Sequence, residues 1–573
     1  MNIADRVQID QNISGQDHED WKSFTSDKNV SYVVDQQNGN YSNQVSFDLT
    51  SIVSQNAYMA IPESYVLMPF STTLTAGTAV ITAPTAWDSN KVALKNNFLQ
   101  FIDSVQLFVN GEQMIDQTSY SNMPLNVMDM LSMSQNDLKL KGAAHGIWPD
   151  TTTSIRYSGP NATPNGDGYT NGQYLDKANS TTTTGLDYKT MNTGLQARAL
   201  FSGAEVLTNA TGSAVNGWPP AMGASSTATA TLAPYFSSAA NGGLAVEAAW
   251  NYVVYLPLTR ISDLLAKYPL VKGSQIRLVL NFNAGVTTVT TDTTATNANL
   301  KMTSYNATAG NTNTTLFTSG YINPITSTST AGTMLLTTRI QTTAVARVAT
   351  TTAQKGFAAL PNCRVYVPTY KVNPTYEERM LSNAVQKIRY IDWYQQPILN
   401  TANGAGFQQV LTTALTNVKA LIILPFQNGS SGLFNSFTGS QFQSCFDTAP
   451  STTLPGGMLA FQNFNVSVSG INVFNQNQNY CFDQWSQEVQ RLSLNGALSR
   501  EISSGLIDLQ TWNWSPYVIC DLSRRTESAD GTYQSVVVSG TNNSGVAVDY
   551  YCFIAYEKEY EINTLTGAVK KIF

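Results

Sequence analysis

Residues 98–109, FLQFIDSVQLFV, decide the fold because a related stretch, FQNFNVSVSG, occupies residues 461–470. Both stretches are rich in the aromatic and β-branched residues that favour strands. The residues shared at a constant offset of 363 are Phe98 and Phe461, Phe101 and Phe464, Ser104 and Ser467, and Val105 and Val468. Each stretch is followed by a segment of helical character, at 120–133 and at 480–494. A strand followed by a helix, occurring twice with matching residues, indicates a duplicated unit.

Further matches follow in the same order along the chain. They are LMPF at 67–70 with ILPF at 423–426, YVV at 252–254 with YVI at 517–519, and YKVN at 370–373 with YEIN at 560–563. Each match alone is weak, because apolar strands resemble each other for physical reasons. Their common order favours a duplication over coincidence.

The spacing of the matched segments shows where the two copies differ. The first copy takes 132 residues to pass from Tyr120 to Tyr252, whereas the second takes 37 from Tyr480 to Tyr517. A second excess of the same kind separates the last two matched strands of the first copy. We therefore expect the first copy to carry two large insertions.

The excess falls on two stretches rich in Thr and Asn, at about residues 145–245 and 283–357. They lack the high net charge of disordered tails and contain aromatic residues, such as Trp218 and Tyr235, that can anchor a loop to a scaffold. We predict ordered surface loops, with disorder as the alternative. The predicted organisation is an N-terminal arm at 1–28, a first β domain with both insertions at 29–375, and a second β domain at 376–573.

The fold class follows from the tandem β pattern. A β domain of roughly 190 residues, with a short helix after its third or fourth strand, fits a jelly roll better than an immunoglobulin-like sandwich. A parallel β-helix would repeat about every 20 to 30 residues, and a doubly wound α/β fold would alternate strands with amphipathic helices. We predict an all-β protein of two tandem jelly-roll β-sandwich or barrel domains, with short helices and long surface loop insertions in the first.

Composition excludes several other classes. Of 573 residues, only 12% are charged, against about 25% in an average soluble domain, while 42% are hydrophobic and the formal net charge is -6. A coiled coil would need more Glu, Lys and Arg, and a polybasic nucleic-acid binder would not be acidic. The N-terminal residues show no apolar run of the kind a secretion signal needs, and no run is long enough for a membrane-spanning helix.

Catalytic chemistry has few candidates in this sequence. Histidine occurs only as His18 and His145, and we expect His145 to be structural, in a turn. Motifs for metalloproteases, serine hydrolases and nucleotide binding do not occur. The stretch 165–172, NGDGYTNG, resembles a calcium loop but lacks Gly at the sixth position and Glu at the twelfth. We predict no catalytic, cofactor-binding or metal-binding residues, no cofactor, and no enzymatic activity.

Three smaller sets of residues remain open to a functional interpretation. Five carboxylates could meet in space as a glycosidase pair, although no motif marks them: Asp103, Asp116, Asp129, Asp483 and Glu488. The basic clusters, such as Arg524-Arg525, are small and are expected to face solvent or to cap a strand end and not to bind phosphate. The five cysteines are odd in number and form no CxxC pair, so we expect buried, reduced thiols at Cys363, Cys445, Cys481, Cys520 and Cys552.

Several phrases of the sequence carry a family resemblance. They are CRVYVPTYKVNP at 363–374, KIRYIDW at 387–393 and ALIILPF at 420–426, together with the tandem β units and the strand-then-helix segment 98–133. This series resembles the double jelly-roll major capsid proteins, most closely those of virophages and of polinton-like small double-stranded DNA viruses. The resemblance runs from about Asn29 to the end of the sequence, and the two Thr-rich stretches match nothing in it.

The resemblance implies a structural role in a virion assembled inside the host cell. Three copies would form a homotrimeric, pseudo-hexagonal capsomer that tiles an icosahedral shell, with the two insertions in its outer crown. The implied partners are neighbouring capsomers, penton proteins and minor capsid proteins. The arm at 1–28 would face the interior and contact a membrane or the genome, and the host-cell receptor is unspecified.

Two function classes compete with the capsid interpretation. Richness in Thr and Asn also suits an extracellular adhesin or surface-layer protein, which would require a secretion route. A carbohydrate-active enzyme on a β-sandwich would require acidic residues clustered in one cleft. Among capsid proteins, a single jelly roll with very long loops is the alternative, and the matched segments argue against it.

Overall fold

The structure is a computed structural model, and the statements below concern the residues that it describes. These are residues 25–38, 44–53, 57–76, 93–94, 99, 102–145, 147, 207–208, 214–215, 235–236, 246–282, 285–291, 321–322, 332–340, 362–427, 460–495, 506–509, 512, 516–525, 532–545 and 547–572.

Eight antiparallel strands build the first half of the molecule. They are β1 (Thr25–Val34), β2 (Gln44–Asp48), β3 (Tyr65–Ala76), β4 (Ile102–Val109), β5 (Glu112–Ile115), β6 (Val246–Pro257), β7 (Ile276–Phe282) and β8 (Arg364–Val372). One sheet has the order β1-β8-β3-β6 and the other the order β2-β7-β4-β5. Strand one therefore pairs with eight, two with seven, three with six and four with five. Two facing sheets with this nested pairing form a jelly roll.

Eight further strands repeat this topology in the second half. They are β9 (Val385–Thr401), β10 (Gly406–Thr416), β11 (Val418–Gln427), β12 (Phe461–Val468), β13 (Ile471–Asn472), β14 (Val518–Asp521), β15 (Tyr533–Asn542) and β16 (Val548–Asn563). The sheets run β9-β16-β11-β14 and β10-β15-β12-β13. The nested pairing is the same, position for position. The fold is thus a tandem pair of jelly rolls, and the predicted fold class is confirmed.

Short helices and accessory strands complete the described elements. The helices are α1 (Thr50–Val53), α2 (Asn122–Ser132), α3 (Gln135–His145), α4 (Leu258–Ile261), α5 (Asp263–Lys267), α6 (Pro374–Ser382) and α7 (Phe482–Asn495), with 3-10 turns at Ile61–Glu63 and Ser523–Arg525. The accessory strands are Tyr58–Met59, Ala93–Leu94, Leu207–Thr208, Ala214–Val215, Tyr235–Phe236, Gly285–Thr291, Tyr321–Ile322, Gly332–Ile340, Gln478–Tyr480 and Val569–Lys571. Within the described residues no helix is long and apolar enough to span a bilayer.

The hairpins β4–β5 and β12–β13 fix the correspondence between the two rolls. Each turns through a pair of residues with positive φ, Asn110-Gly111 in the first roll and Ser469-Gly470 in the second. Two positive-φ residues make the type I′ turn that suits a tight hairpin. Aligning the turns gives an offset of 359, not the 363 of the sequence match. The matched strands are therefore the same, but the residue alignment shifts by four.

Alternation of buried and exposed residues explains why the strands form sandwiches. In β15 every second residue from Gln534 to Asn542 is buried, and β4 follows a similar pattern. Strands that alternate in this way bury one face of a sheet. The inner faces form two apolar cores, one in each roll, which include Phe47 and Leu278 in the first and Phe464 and Val538 in the second.

The domain boundaries remain predictions, but two described segments alter their detail. Strand β1 begins at Thr25 and pairs with β8, so residues 25–28 of the predicted arm lie in a sheet. Gly285–Thr291 and Gly332–Ile340, within the second predicted insertion, are paired strands, and the latter also joins β3. These parts are strands and not loops, because alternating Thr and apolar residues favour a sheet. Residues 1–24 and most of both insertions lie outside the described residues.

Candidate functional site

The second roll packs against the first through the outer face of its β9–β16 strand pair. Both strands are unusually long, at 17 and 16 residues. Tyr390 on β9 and Tyr560 on β16 are buried and belong to the apolar cluster of the first roll. One face of this strand pair therefore covers its own core, and the other is covered by the neighbouring roll. We call this contact the junction.

Helix α2 belongs to the first roll in sequence but is shared between the two cores. Every residue from Asn122 to Leu131 is buried. Leu125 packs in the first cluster, whereas Val127 and Leu131 pack in the second. A helix buried on all sides lies inside a protein and not on its surface. The two rolls therefore share an interior and are not joined only by a linker.

Lys558 lies at the polar centre of the junction. Its Nζ donates to Asp392 Oδ2 at 2.6 Å and to Asp116 Oδ2 at 2.8 Å. Lys558 and Asp392 lie in the second roll, and Asp116 follows β5 of the first roll. The side chains of Lys558 and Asp392 are only 5% and 8% exposed, whereas that of Asp116 is 55% exposed. A buried ammonium group is tolerated when carboxylates neutralise it and accept its hydrogen bonds.

The carboxylates hold this lysine in its charged form. Burial acts to lower the pKa of Lys558, but the negative charges of Asp392 and Asp116 outweigh burial and hold the pKa above its ordinary value. The backbone N–H of Trp393 also donates to Asp392, at 2.9 Å. The ammonium group of Lys558 therefore stays charged at the centre of the junction.

Strand β5 docks on this face through its backbone. The hydroxyl of Tyr390 donates to the carbonyl oxygen of Met114, and that of Tyr560 donates to the carbonyl of Gln113 at 3.3 Å. Thr118 Oγ1 donates to the carbonyl of Trp393 at 2.6 Å. Because these bonds satisfy carbonyls on the edge of a sheet, they place the second roll at one defined position on the first.

Helix α5 adds a second line of polar contacts. The backbone N–H of Ile391 donates to Asp263 Oδ2 at 2.9 Å, and Lys267 Nζ donates to the carbonyl of Arg389 at 3.2 Å. Asp263 and Lys267 also form an i,i+4 ion pair at 3.0 Å. This short helix thus binds the edge of β9 that faces away from β16.

Two glycines permit close backbone approach at one end of the junction. Gly273 has a φ of +82°, and a Cβ at that position would lie 2.5 Å from the carbonyl oxygen of Leu565. Next to it, the backbone N–H of Lys272 donates to the carbonyl of Thr564 at 2.7 Å. A Cβ on Gly567, with a φ of +69°, would lie 2.4 Å from Ser274 Oγ. Only glycine fits where two chain segments meet this closely.

A cavity of about 30 Å³ adjoins the triad. Asp116, Asp263 and Asp392 line it, and Ile391 and Trp393 provide part of the apolar wall. Its size suits a single water molecule. The hydroxyl residues Thr118, Ser121 and Ser262 also line it, and each hydroxyl is hydrogen-bonded to a backbone group. The carboxylates are engaged by Lys558, Lys267 and backbone N–H groups.

The structure places the five candidate carboxylates in separate environments. Asp103 accepts from the N–H of Tyr120 and Asp129 pairs with buried Arg260. Asp116 joins the junction triad, and Asp483 is exposed in the first turn of α7. Asp103, Asp116 and Asp129 therefore engage different partners, and Asp483 engages none of theirs.

Glu488, the fifth carboxylate, is buried between α7 and β14. It pairs with Arg524 at 2.9 Å and with Arg491 at 3.3 Å, and it accepts the N–H of Asp521 at 2.8 Å. Burial raises its pKa, whereas the Asp521 N–H and Arg491 lower it; burial is the larger effect and brings the pKa of Glu488 to about 7. Glu488 therefore holds α7 against the sheet.

The cysteine and histidine predictions are confirmed only in part. Cys363, Cys520 and Cys552 are buried, reduced thiols, and burial raises the pKa of the Cys520 and Cys552 thiols. Cys481 is exposed, so the prediction of burial is wrong there. It immediately precedes α7, where only one side of the chain meets the core. Cys445 lies outside the described residues.

His145 is the last residue of α3 and does not lie in a turn. His18 and the calcium-like stretch 165–172 lie outside the described residues. The part of the chain that the structure describes contains no group of three His, Cys, Asp or Glu residues placed to hold a metal ion.

Comparisons with known proteins give similarities to solved viral structures. No protein-family model and no curated protein match the sequence. A chain of the Sputnik virophage, solved by cryo-EM, is 11% identical with a TM-score of 0.46, over 96% of this chain and 89% of that one. The mavirus major capsid protein is 9% identical with a TM-score of 0.41, over 95% and 89%. The Faustovirus major capsid protein is 11% identical with a TM-score of 0.41, over 94% and 90%.

Proposed function

We propose that the chain is a structural major capsid protein whose trimers form pseudo-hexagonal capsomers in an icosahedral virion shell. The observation that carries the proposal is the pairing of two jelly rolls of identical topology through a buried junction. Such a chain is a two-part building block. Its function is to present two similar units at a fixed relative position.

A closed ring of chains requires a fixed angle between the two rolls of each chain. Oligomers of identical chains close into rings only when every contact repeats at the same angle. Three chains with two similar units each can form a ring of six wedges, provided that the angle within a chain matches the angle between chains. The Lys558 triad and the backbone contacts of β5 hold the angle within the chain.

The low charge content is consistent with lateral packing against copies of the same chain. Burying an unpaired charge at an interface is costly, and interface cores are depleted in charged residues. Only 12% of this chain is charged, and the hydroxyl and amide residues that replace charge can satisfy each other across a contact.

The finer parts of the proposal concern partners and activity. We propose that the partners are copies of the chain itself, neighbouring capsomers, and penton and minor capsid proteins, with the residues that precede β1 directed toward a membrane or the genome. The role is structural and requires no catalytic centre. The separate ion pairs of the candidate carboxylates support this assignment.

Native mass and electron microscopy of the purified full-length chain test the proposal. We expect a stable species of three chain masses, and pseudo-hexagonal particles or closed shells in images. A chain that remains monomeric over a wide concentration range, with no assembly on concentration, would contradict the proposal.

A further inference from the structure

Among the described residues, one outer face of the first roll carries exposed apolar side chains where its counterpart on the second roll is covered. The counterpart is the outer face of β9–β16, which carries the junction. In the first roll the equivalent strands are β1 and β8, because both pairs are strands one and eight of their rolls. Val30 and Tyr32 on β1 are 49% and 56% exposed.

Strand register identifies the equivalent residues. The matched phrases YKVN and YEIN align Tyr370 with Tyr560. Tyr370 pairs with Lys28 in the first roll, and Tyr560 pairs with Ile388 in the second. Moving two residues at a time along the same face gives the remaining equivalences. These are Val30 with Tyr390, Tyr32 with Asp392, Tyr366 with Tyr556, and Pro368 with Lys558.

The equivalent positions of the two rolls differ in charge. The second roll buries Lys558 and Asp392 at its junction, whereas the first roll has Pro368 and Tyr32 at the same positions. No charge needs to be neutralised at these two positions when the first-roll face is covered. These two positions can therefore be covered without desolvating a charge, and the charged residues Lys28 and Arg364 lie at the two ends of the same face.

Aromatic rings extend this open face across the sheet. The ring centroids of Tyr32 and Tyr366 are 5.8 Å apart, those of Tyr366 and Tyr65 are 4.9 Å apart, and those of Tyr65 and Tyr255 are 6.1 Å apart. Arg364 lies over the Tyr32 ring at 5.1 Å. We call this band, with Val30 and Val34, the tyrosine face. Tyrosine and arginine are enriched in interface cores, and an exposed apolar patch of this kind marks a binding surface.

The strand that covers the outer face of β9–β16 within one chain indicates which strand of a second chain would cover the tyrosine face. At the junction the covering element is strand β5, which follows the Asn110-Gly111 turn. Its equivalent is β13, which follows the Ser469-Gly470 turn, and both residues of β13 are exposed. Ile471 is 56% exposed and occupies the position of Glu112. The second roll thus presents an uncovered hairpin of the shape that the first roll uses at the junction.

We propose that the tyrosine face of one copy binds the β12–β13 hairpin of a second copy. The contact is head-to-tail, because the face and the hairpin are different surfaces, and it closes when three copies form a ring. The inference rests on the proposed trimer and adds the two surfaces that form it. It assigns the same docking mode to the contact within a chain and to the contact between chains.

Charge substitutions on the two surfaces test the inference in the full-length protein. Val30→Glu alters the face and Ile471→Glu alters the hairpin. The matched control is Val410→Glu, because Val410 is also 49% exposed on a strand but lies on β10, at the opposite edge of its sheet from β13. We expect each of the first two variants to dissociate at least tenfold more readily than the wild type, and the control to remain trimeric. Unaltered circular dichroism and thermal unfolding would establish that each variant is folded.

Mixing the two variants tests the direction of the contact. Val30→Glu retains a normal hairpin and Ile471→Glu retains a normal face, so one unaltered contact can form between them. We expect cross-linking to capture a one-to-one heterodimer that neither variant forms alone. Trimers of wild-type stability in both variants, or no heterodimer, would overturn the inference while leaving the proposed function in place. A wild-type chain that forms no trimer would instead contradict the proposed function.

Discussion

At the scale of single residues, Lys558 restricts the relative position of the two rolls, although burying its ammonium group costs free energy. Its ammonium group is almost fully buried, and its two carboxylate partners come from β9 and from the loop after β5. An ion pair of this kind is weak evidence for stability, because desolvation offsets its Coulomb energy. It strongly penalises any arrangement of the rolls in which one partner is missing.

Lys558→Met should therefore destabilise the protein. The substitution leaves Asp392 buried without its cation, which costs about 3 to 5 kcal/mol. Chemical denaturation should show this loss, and the double variant Lys558→Met with Asp392→Leu should recover most of it. The control is Lys387→Met, which removes a 3.5 Å pair with Glu561 at a side chain that is 65% exposed and should cost no more than about 1 kcal/mol. Equal losses in the two single variants would contradict the role of the triad.

Glu488 predicts a pH dependence with a defined sign. Its pKa of about 7 in the folded protein is higher than the 4.5 expected for an exposed glutamate. Between these values the folded state binds the proton and the unfolded state releases it, so stability falls as pH rises toward 7. The full difference corresponds to about 3 kcal/mol.

Thermal unfolding of Glu488→Gln between pH 5 and 8 measures this contribution. The amide cannot ionise, so we expect the variant to lose less stability over this range than the wild type. Parallel curves for the two proteins would show that Glu488 does not titrate there.

Sequence reasoning identified few of the residues that matter at this scale. Asp116 was predicted only as one of five possible catalytic carboxylates, and Lys558 and Asp392 were not singled out. A signal was available in YCFIAYEKEYEI at 551–562, where Lys558 interrupts a long strand that is otherwise mostly apolar or aromatic at alternate positions. Its partners could not be predicted, because they lie 166 and 442 residues away in sequence.

At the scale of elements, the duplicated strand was predicted correctly but its alignment was not. The sequence match uses an offset of 363, and the positive-φ turns require 359. Side chains on a strand alternate with a period of two residues, so a shift of four keeps every residue on the same face. The pattern of apolar residues therefore fits both alignments. Only the turn, where Asn110-Gly111 and Ser469-Gly470 share a backbone conformation, distinguishes them.

Gly273 gives a prediction at the contact between elements. Gly273→Ala would place a Cβ against the backbone carbonyl of Leu565, which cannot move like a flexible side chain. The control is Gly404→Ala, because Gly404 has a similar φ of +77° but open space around its Cβ position. We expect Gly404→Ala to cost about 1 kcal/mol from backbone strain and Gly273→Ala clearly more. Equal costs in denaturant unfolding would contradict a close contact between the rolls at this point.

At the scale of the whole molecule, the tandem architecture could be predicted because the two copies retain their strand order. Four matched segments sufficed to predict two jelly rolls, which nested strand pairing confirms in both halves. The junction could not be predicted in the same way. It depends on which face of β9 and β16 is covered from outside, and both faces are apolar because one covers a core and the other covers a neighbour.

Three chains should form a ring of six similar wedges, and a cryo-EM reconstruction of the purified oligomer would show whether they do. We expect a threefold particle with two jelly rolls per chain and a pseudo-sixfold outline, in which the tyrosine face of each chain lies against the β12–β13 hairpin of the next. A reconstruction with another symmetry would contradict the ring, whereas a threefold particle with the tyrosine face open to solvent would contradict only the contact proposed between chains.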